Sequence, residues 1–188
     1  MTYFTEALIE MARNSAWANY RLLSACCDLS QAEFIAERTG FFPSISETLN
    51  HNLQVDCFYI DALEGNPMGP ASRTLPPEPT APALMEAQRK WDQRLITFCE
   101  ALMPQDLQAE VRLVREEDLQ LERTDRVLLH LFQHQTHHRG QAHAMMSATS
   151  VSPPQLDEFF LSGDLTLREK DFEAMGWDPE RHALSEPA

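Results

Sequence analysis

The sequence predicts an all-α protein, a four-helix bundle with a long crossover, and three observations carry this prediction. Apolar residues recur at three- and four-residue steps through four long stretches. Residues that typically begin or end helices flank these stretches. Alternation of apolar and polar residues, the pattern of a strand, is confined to residues 107–121. A four-helix bundle buries four such apolar stripes against one another.

At 188 residues, the chain is expected to form one domain over residues 1–188. Its core is predicted over about residues 4–161, and a C-terminal appendage over about 162–188. The appendage is predicted to contain a short helix over Leu167–Met175 and to fray after Trp177.

The first long helix is predicted over about Phe4–Leu29, which contains neither Pro nor Gly. The second is predicted over about Ser44–Glu64. Ser44 and Glu47 have the spacing of a capping box, and Gly65 follows the last apolar residue. Both boundaries therefore rest on local backbone chemistry.

The middle of the chain is predicted to contain an ordered loop, a third helix and a short hairpin. Pro, Ser, Thr and Gly are concentrated in residues 66–79, which favours a loop. Thr80 is an N-cap candidate for the third helix, which is expected to end before Pro104. The alternation over residues 107–121 predicts the hairpin.

The charge excludes one class of partner. The chain has 15 Lys and Arg against 29 Asp and Glu, a formal net charge of −14. A nucleic-acid backbone would be repelled by this field, so no nucleic-acid partner is expected. No apolar run approaches the roughly 18 residues of a membrane span, and the first residues lack the pattern of a secretion signal. No membrane partner and a cytoplasmic location are therefore expected.

The four cysteines form no CxxC pair and lie in stretches with helical periodicity. Buried free thiols are the expectation, with a disulfide or a metal role as the alternative. A metal-ligand role for Cys57, on the second helix, remains an alternative. The four are Cys26, Cys27, Cys57 and Cys99.

Four of the seven histidines lie within residues 130–138, on a fourth helix predicted over about Asp125–Ser147. His134 and His138 are one turn apart on its apolar face, where two imidazoles can bind one divalent cation. The alternative is that these side chains hydrogen-bond to other residues or face solvent.

A third histidine, His51, lies among core-facing residues of the second helix. If the two helices pack side by side, His51 can meet the pair. Three neutral imidazoles would leave coordination positions for water or substrate, which is typical of a catalytic metal site. Imidazole accepts zinc, nickel, iron or manganese, so all four metals stay open.

Three segments, in this order, resemble the DinB/YfiT-like family of metal-binding four-helix bundles. Residues 14–23 contain Trp-Ala-Asn, residues 42–51 end in Leu-Asn-His, and residues 134–141 contain His-x-x-x-His-Arg-Gly-Gln, continued by residues 153–157. The resemblance implies a DinB/YfiT-like four-helix bundle whose chains pair as homodimers. It also implies that His51, His134 and His138 bind a divalent metal.

The resemblance further implies a chemistry. Several relatives are transferases that join a low-molecular-weight thiol to an electrophile, so a metal-dependent thiol transferase with a small-molecule substrate is the first expectation. His130 or His137 is the candidate base. Such an enzyme should have a pocket beside the metal, lined by the first helix and the 66–79 loop. The alternatives are a metal-dependent hydrolase and a non-catalytic metal-binding or stress-response protein.

Residues near the histidines are expected to support them. Gln141 is expected to hydrogen-bond a ligand imidazole or a bound water, with plain core packing as the alternative. Asp56 is expected to orient the first helix or Arg139, and Arg139 to face solvent or pair with acids. Gly140, which costs about 1 kcal/mol relative to Ala inside a helix, is expected to allow a neighbouring helix to approach closely.

Overall fold

The computed structural model of the protein describes residues 3–178, so the predicted fraying beyond Trp177 lies almost wholly outside the described residues. The predicted long helices, hairpin and C-terminal helix are all present. A short second helix is present as well and is not predicted from the sequence. The helices are α1 (Tyr3–Cys27), α2 (Gln31–Ile35), α3 (Ile45–Leu63), α4 (Ala81–Ala101), α5 (Thr124–Met146) and α6 (Leu165–Met175), and the strands are β1 (Glu110–Val114) and β2 (Leu119–Arg123).

The four long helices form the predicted bundle. α1 packs chiefly against α4 and α3 chiefly against α5, while α3 with α4 and α1 with α5 complete the ring. Apolar side chains from all four helices meet inside this ring, and Leu95, Leu128 and Leu131 are almost completely buried there. Because α3 and α5 are neighbours, the two helices that carry the predicted ligands lie side by side.

Local chemistry fixes where α3 and α4 begin. The Ser44 side chain accepts a hydrogen bond from the Glu47 backbone N–H at 3.1 Å, and Thr80 accepts one from the Ala83 N–H at 3.3 Å. Each bond satisfies a backbone donor that has no partner within the helix. The predicted N-caps of both helices are therefore confirmed.

The unpredicted helix α2 has five residues, too few for an apolar period to show in the sequence. It begins with a capping box in which Ser30 and Glu33 exchange side-chain to backbone hydrogen bonds. Phe34 is 1% exposed and belongs to a buried apolar cluster that also contains Leu29, Ile45 and Leu49. The capping box and one buried aromatic ring therefore stabilise α2.

β1 and β2 form the predicted antiparallel hairpin, with Arg112 opposite Leu121 and Val114 opposite Leu119. Only one face of the hairpin rests on the core, and Val111 of β1 lies on that face. Directly opposed residues share a face, so Leu121 lies with exposed Arg112 and is itself 49% exposed. The apolar alternation in β2 therefore indicates the strand correctly but marks its outer face.

The C-terminal segment packs onto α1. Trp17 is completely buried against Phe159, with ring centroids 5.6 Å apart, and donates its indole N–H to Asp171 at 3.0 Å. Arg21 forms ion pairs with Glu158 at 2.8 Å and with Asp171 at 2.5 Å. Within residues 3–178, no helix combines the length and apolar character that crossing a membrane requires.

Candidate metal centre

Three histidines from two helices converge as the sequence predicts. His51 lies on α3, His134 and His138 lie on α5, and one ring nitrogen of each falls within 4.8 Å of the others. The Nε2 atoms of His51 and His134 are 3.3 Å apart. Two imidazole ligands of one tetrahedral zinc, with bonds of about 2.0–2.1 Å, have nitrogens about 3.3–3.4 Å apart. The His51–His134 pair has this spacing, and the three residues, which we call the triad, are positioned to bind a divalent metal.

The rings of the triad face one another closely. Their centroids are 5.2 Å apart for His51 and His134, 4.7 Å for His51 and His138, and 4.4 Å for His134 and His138. Phe42, just before α3, places its ring 4.4 Å from that of His51 and 5.7 Å from that of His138. This aromatic cover was not predicted. It places an apolar ring on one side of the triad.

The environment keeps the triad neutral. Burial lowers the pKa of His51 to about 4 and that of His134 to about 3, and repulsion from His138 contributes at both. Burial also lowers the pKa of His138, while its bond to Gln141 acts in the opposite direction. A neutral imidazole is the form that binds a metal, so these shifts suit a cation site.

Gln141 links two histidines on α5. Its Oε1 lies 2.8 Å from His138 Nδ1, and its Nε2 lies 3.1 Å from His137 Nε2. The amide oxygen accepts from His138 Nδ1–H, which leaves His138 Nε2 unprotonated and available to a cation. His134 Nδ1 is buried without a hydrogen-bond partner in the described part of the chain.

The two candidate bases lie at the edges of the triad. His130 and His137 are both exposed. The His130 ring lies 5.2 Å from the Tyr59 ring and 6.4 Å from that of His134, and the His137 ring lies 4.9 Å from that of His138. Both imidazoles therefore reach solvent next to the triad.

A pocket of about 390 Å³ opens beside His51 and His134. Its walls include Ser72 and Arg73 of the 66–79 loop, as predicted, but no residue of α1. Arg115, which follows β1, takes part instead. The first helix lies diagonally across the bundle from α3 and cannot reach this side, which is why that part of the prediction is wrong.

Asp56 faces away from the triad, into the centre of the bundle. Its carboxylate is completely buried and accepts hydrogen bonds from Gln88 at 2.7 Å and Gln135 at 2.9 Å. Its hydrogen bonds in the described part of the chain therefore go neither to a histidine of the triad nor to α1. Gln135 in turn accepts from the Ser15 hydroxyl at 2.5 Å, so Asp56 is coupled to α1 through one amide.

Arg139 is 5% exposed and points into the same buried cluster. It donates to Ser15 at 2.7 Å and to Asn19 at 3.0 Å, and it attracts the carboxylates of Asp56 and Asp92 without a direct bond to either. Of the two roles expected for Arg139, facing solvent is wrong. Gln135 was missed in the sequence, although its four-residue step from Leu131 places it on the buried face of α5.

Burial dominates the electrostatics of this cluster. It raises the pKa of Asp56 to about 7 and that of Asp92 to about 6, and the charge of Asp92 adds to the effect at Asp56. Burial lowers the pKa of Arg139 to about 10, so the guanidinium keeps its charge at neutral pH. Two acids and one base thus share a low-dielectric interior.

The explanation expected for Gly140 is wrong. The residue is exposed, and a Cβ added there would meet no atom within 4 Å. Cys57 is buried in an apolar cluster with Leu53, and it does not belong to the triad. All four cysteines are free thiols, and burial raises the pKa of Cys57 to about 12.

Comparison with known proteins agrees with this fold. The sequence model of the DinB family matches residues 1–166. A crystal structure of a DinB-like protein from Bacillus cereus ATCC 10987 superimposes with a TM-score of 0.64 and 16% sequence identity, covering 80% of this chain and 95% of that one. At this identity the likeness supports the fold alone. No curated protein matches the sequence.

Proposed function

Because the chain belongs to the DinB family and its triad is positioned to bind a metal, we propose that it is a metal-dependent transferase. In this proposal it joins a low-molecular-weight thiol to an electrophilic small molecule. The observation that carries the proposal is the pocket of about 390 Å³ that opens directly onto His51 and His134. A site that only stored or sensed a metal would have no need of this volume.

His51, His134 and His138 would hold the metal. When bound, a divalent metal lowers the pKa of a coordinated thiol or water and so supplies a nucleophile near neutral pH. Three protein ligands would leave a further position for that group. The Phe42 ring packs on one side of the triad, and the pocket beside His51 and His134 gives a substrate a way in.

His130 is our preferred base. Its ring contacts Tyr59, which lines the pocket, and lies near His134. From this edge an imidazole could take the proton that the thiol loses. Neither His130 nor His137 lines the pocket itself, but His137 shares its Nε2 with Gln141, so it has less freedom to exchange a proton with a substrate.

A thiol screen tests the proposal. Purified protein loaded with zinc would be mixed with 1-chloro-2,4-dinitrobenzene and, in turn, with cysteine, glutathione and other low-molecular-weight thiols. We expect thioether formation faster than the uncatalysed reaction without protein, and a chelator should abolish this excess rate while added zinc restores it. Thioether formation that is insensitive to the chelator for every thiol would contradict the proposal.

The same preparation tests the hydrolase alternative. Zinc-dependent release of nitrophenol from nitrophenyl esters, without any thiol, would indicate that water is the nucleophile. Absence of both activities would favour a protein that binds the metal without turnover. His130→Ala tests the role of His130 as the base. Loss of a base should lower the transfer rate at neutral pH more than at alkaline pH, because the thiol ionises by itself at alkaline pH.

A further inference from the structure

The pocket beside the triad carries two guanidinium groups, although the protein as a whole has a formal net charge of −14. Arg73 comes from the turn at Gly69–Thr74, and Arg115 follows β1. Both side chains line the same wall as Tyr59 and Ser72. A positive site on a strongly acidic molecule is a local exception that attracts anions.

Arg115 is held in place by neutral groups. Its Nη2 donates to the Tyr59 hydroxyl at 3.3 Å, and its guanidinium carbon lies 4.9 Å from the centre of the Phe58 ring. Among the described ion pairs, none involves Arg115. Its charge is therefore held in position without an ion pair among the described residues, and the other guanidinium N–H groups stay available for an incoming anion.

Arg73 has a weak acidic partner. Its Nη1 lies 3.8 Å from Oε1 of Glu116, and both side chains are about two-thirds exposed, at 66% and 70%. An exposed pair at that distance contributes little. Arg73 lines the same pocket as His51 and His134. One small ligand in that pocket can therefore contact both the guanidinium and a metal at the triad.

We propose that the molecule bound in this pocket carries a carboxylate, held by Arg115 and Arg73, while its sulfur end reaches the triad. Guanidinium groups bind carboxylates through paired N–H bonds, and the Tyr59 hydroxyl, which accepts from Arg115, keeps its own proton to donate. The inference rests on the proposed thiol chemistry and adds to it the substrate class, a mercapto acid. Arg115 and Arg73 are then the residues that determine specificity.

Calorimetry with two matched thiols tests the inference. Zinc-loaded protein would be titrated with 3-mercaptopropionate and with 3-mercapto-1-propanol, which differ only in the carboxylate. We expect the acid to bind at least about tenfold more tightly, the effect of one good charged contact. Arg115→Gln should reduce this ratio to near one, and Arg73→Gln should reduce it in part.

Arg112→Gln is the matched control. It removes the same charge from the same hairpin, but Arg112 lines a different pocket, so the ratio should stay unchanged. Arg73 is exposed, so Arg73→Gln should leave the fold intact even if Arg115→Gln disturbs it. Equal binding of the two thiols, or a ratio that neither Arg73→Gln nor Arg115→Gln changes, would overturn this inference alone. If neither thiol binds the zinc-loaded protein, the proposed thiol function fails, and this inference fails with it.

Discussion

His51 Nε2 and His134 Nε2 lie 3.3 Å apart, although 83 positions separate the two residues in the chain. The contact exists because α3 and α5 are neighbours in the bundle. Two imidazoles held this close cannot both be protonated without strong repulsion, and burial lowers the pKa of each. A cation between them would satisfy both lone pairs.

The first prediction concerns metal stoichiometry. We expect about one zinc per chain in the purified protein, and less than a tenth of that after His51→Ala, His134→Ala or His138→Ala, since two imidazoles hold zinc far more weakly than three. Elemental analysis after gel filtration measures the ratio. His130→Ala is the control and should keep its metal. Full stoichiometry in all three triad variants would refute the site.

The second prediction concerns acid. Protons compete with the metal for imidazole nitrogens, and the lowered pKa values of about 4 for His51 and about 3 for His134 move that competition to low pH. Zinc should therefore stay bound at about pH 5.5, one unit below an ordinary histidine pKa of about 6.5. A pH series of metal content checks this, and release of half the zinc by about pH 6.5 would contradict it.

The same pKa shifts predict the stability of the metal-free protein. As the pH falls through about 6.5, the unfolded chain takes up protons at these histidines, but the folded protein does so only near pH 4. Protonation of the unfolded state then lowers the free energy of unfolding across that window. Urea unfolding of the chelated protein at a series of pH values measures this, and bound zinc should suppress the loss.

The third prediction concerns Gln141. Its Oε1 accepts from His138 Nδ1 at 2.8 Å and so holds the imidazole in the tautomer that presents Nε2 to a metal. Loss of such a partner typically weakens metal binding by about 10–100-fold. Competition with a chromophoric chelator should show this for Gln141→Ala. Gln133→Ala, an exposed glutamine on the same helix, should leave the affinity unchanged.

The fourth prediction contrasts two buried acids. Asp56 uses both oxygens, one for Gln88 and one for Gln135, so Asp56→Asn places an amide against a donor. We expect a loss of about 1–3 kcal/mol in the free energy of unfolding. Asp92 accepts both of its bonds, from Asn19 and Gln88, on Oδ1, and Asp92→Asn can keep them. Asp92→Asn should therefore lower the free energy of unfolding less than Asp56→Asn does.

The pH dependence of this contrast has a definite sign. Burial raises the pKa of Asp56 to about 7 and that of Asp92 to about 6, so between about pH 4 and pH 7 the folded protein binds more protons than the unfolded chain. The contribution of these two carboxyl groups to the free energy of unfolding therefore falls as the pH rises through that range. Asp92→Asn should lessen the loss, as seen by urea unfolding at pH 5 and pH 8. An equal decline in wild type and Asp92→Asn would refute this.

The fifth prediction concerns Gly140. The residue lies inside α5, is exposed, and has open space where a Cβ would lie. Gly140→Ala should therefore raise the free energy of unfolding by about 1 kcal/mol. Gly176, which ends α6 with a φ of +72°, also has open space but a left-handed backbone, so Gly176→Ala should be destabilising. Thermal unfolding of the two variants distinguishes these effects.

The site shows which features a local pattern can predict. His134 and His138 are one turn apart on any α-helix, and Ser44 and Thr80 mark helix starts through bonds to residues three positions on. Such relationships depend on spacing alone. The burial of Arg139 could not be predicted in this way. Its guanidinium lies in the core near two buried carboxylates, and the apolar period of α5 does not reveal them.

By itself, the sequence determined the four long helices, the C-terminal helix, the hairpin and the helical faces on which the three histidines lie, because backbone geometry fixes side-chain direction within one element. Only the tertiary structure decided that His51 and His134 meet, that Phe42 covers them, and that Arg73 and Arg115 stand beside them. Those positions depend on how helices pack and where loops cross. Periodicity within one helix carries no information about either.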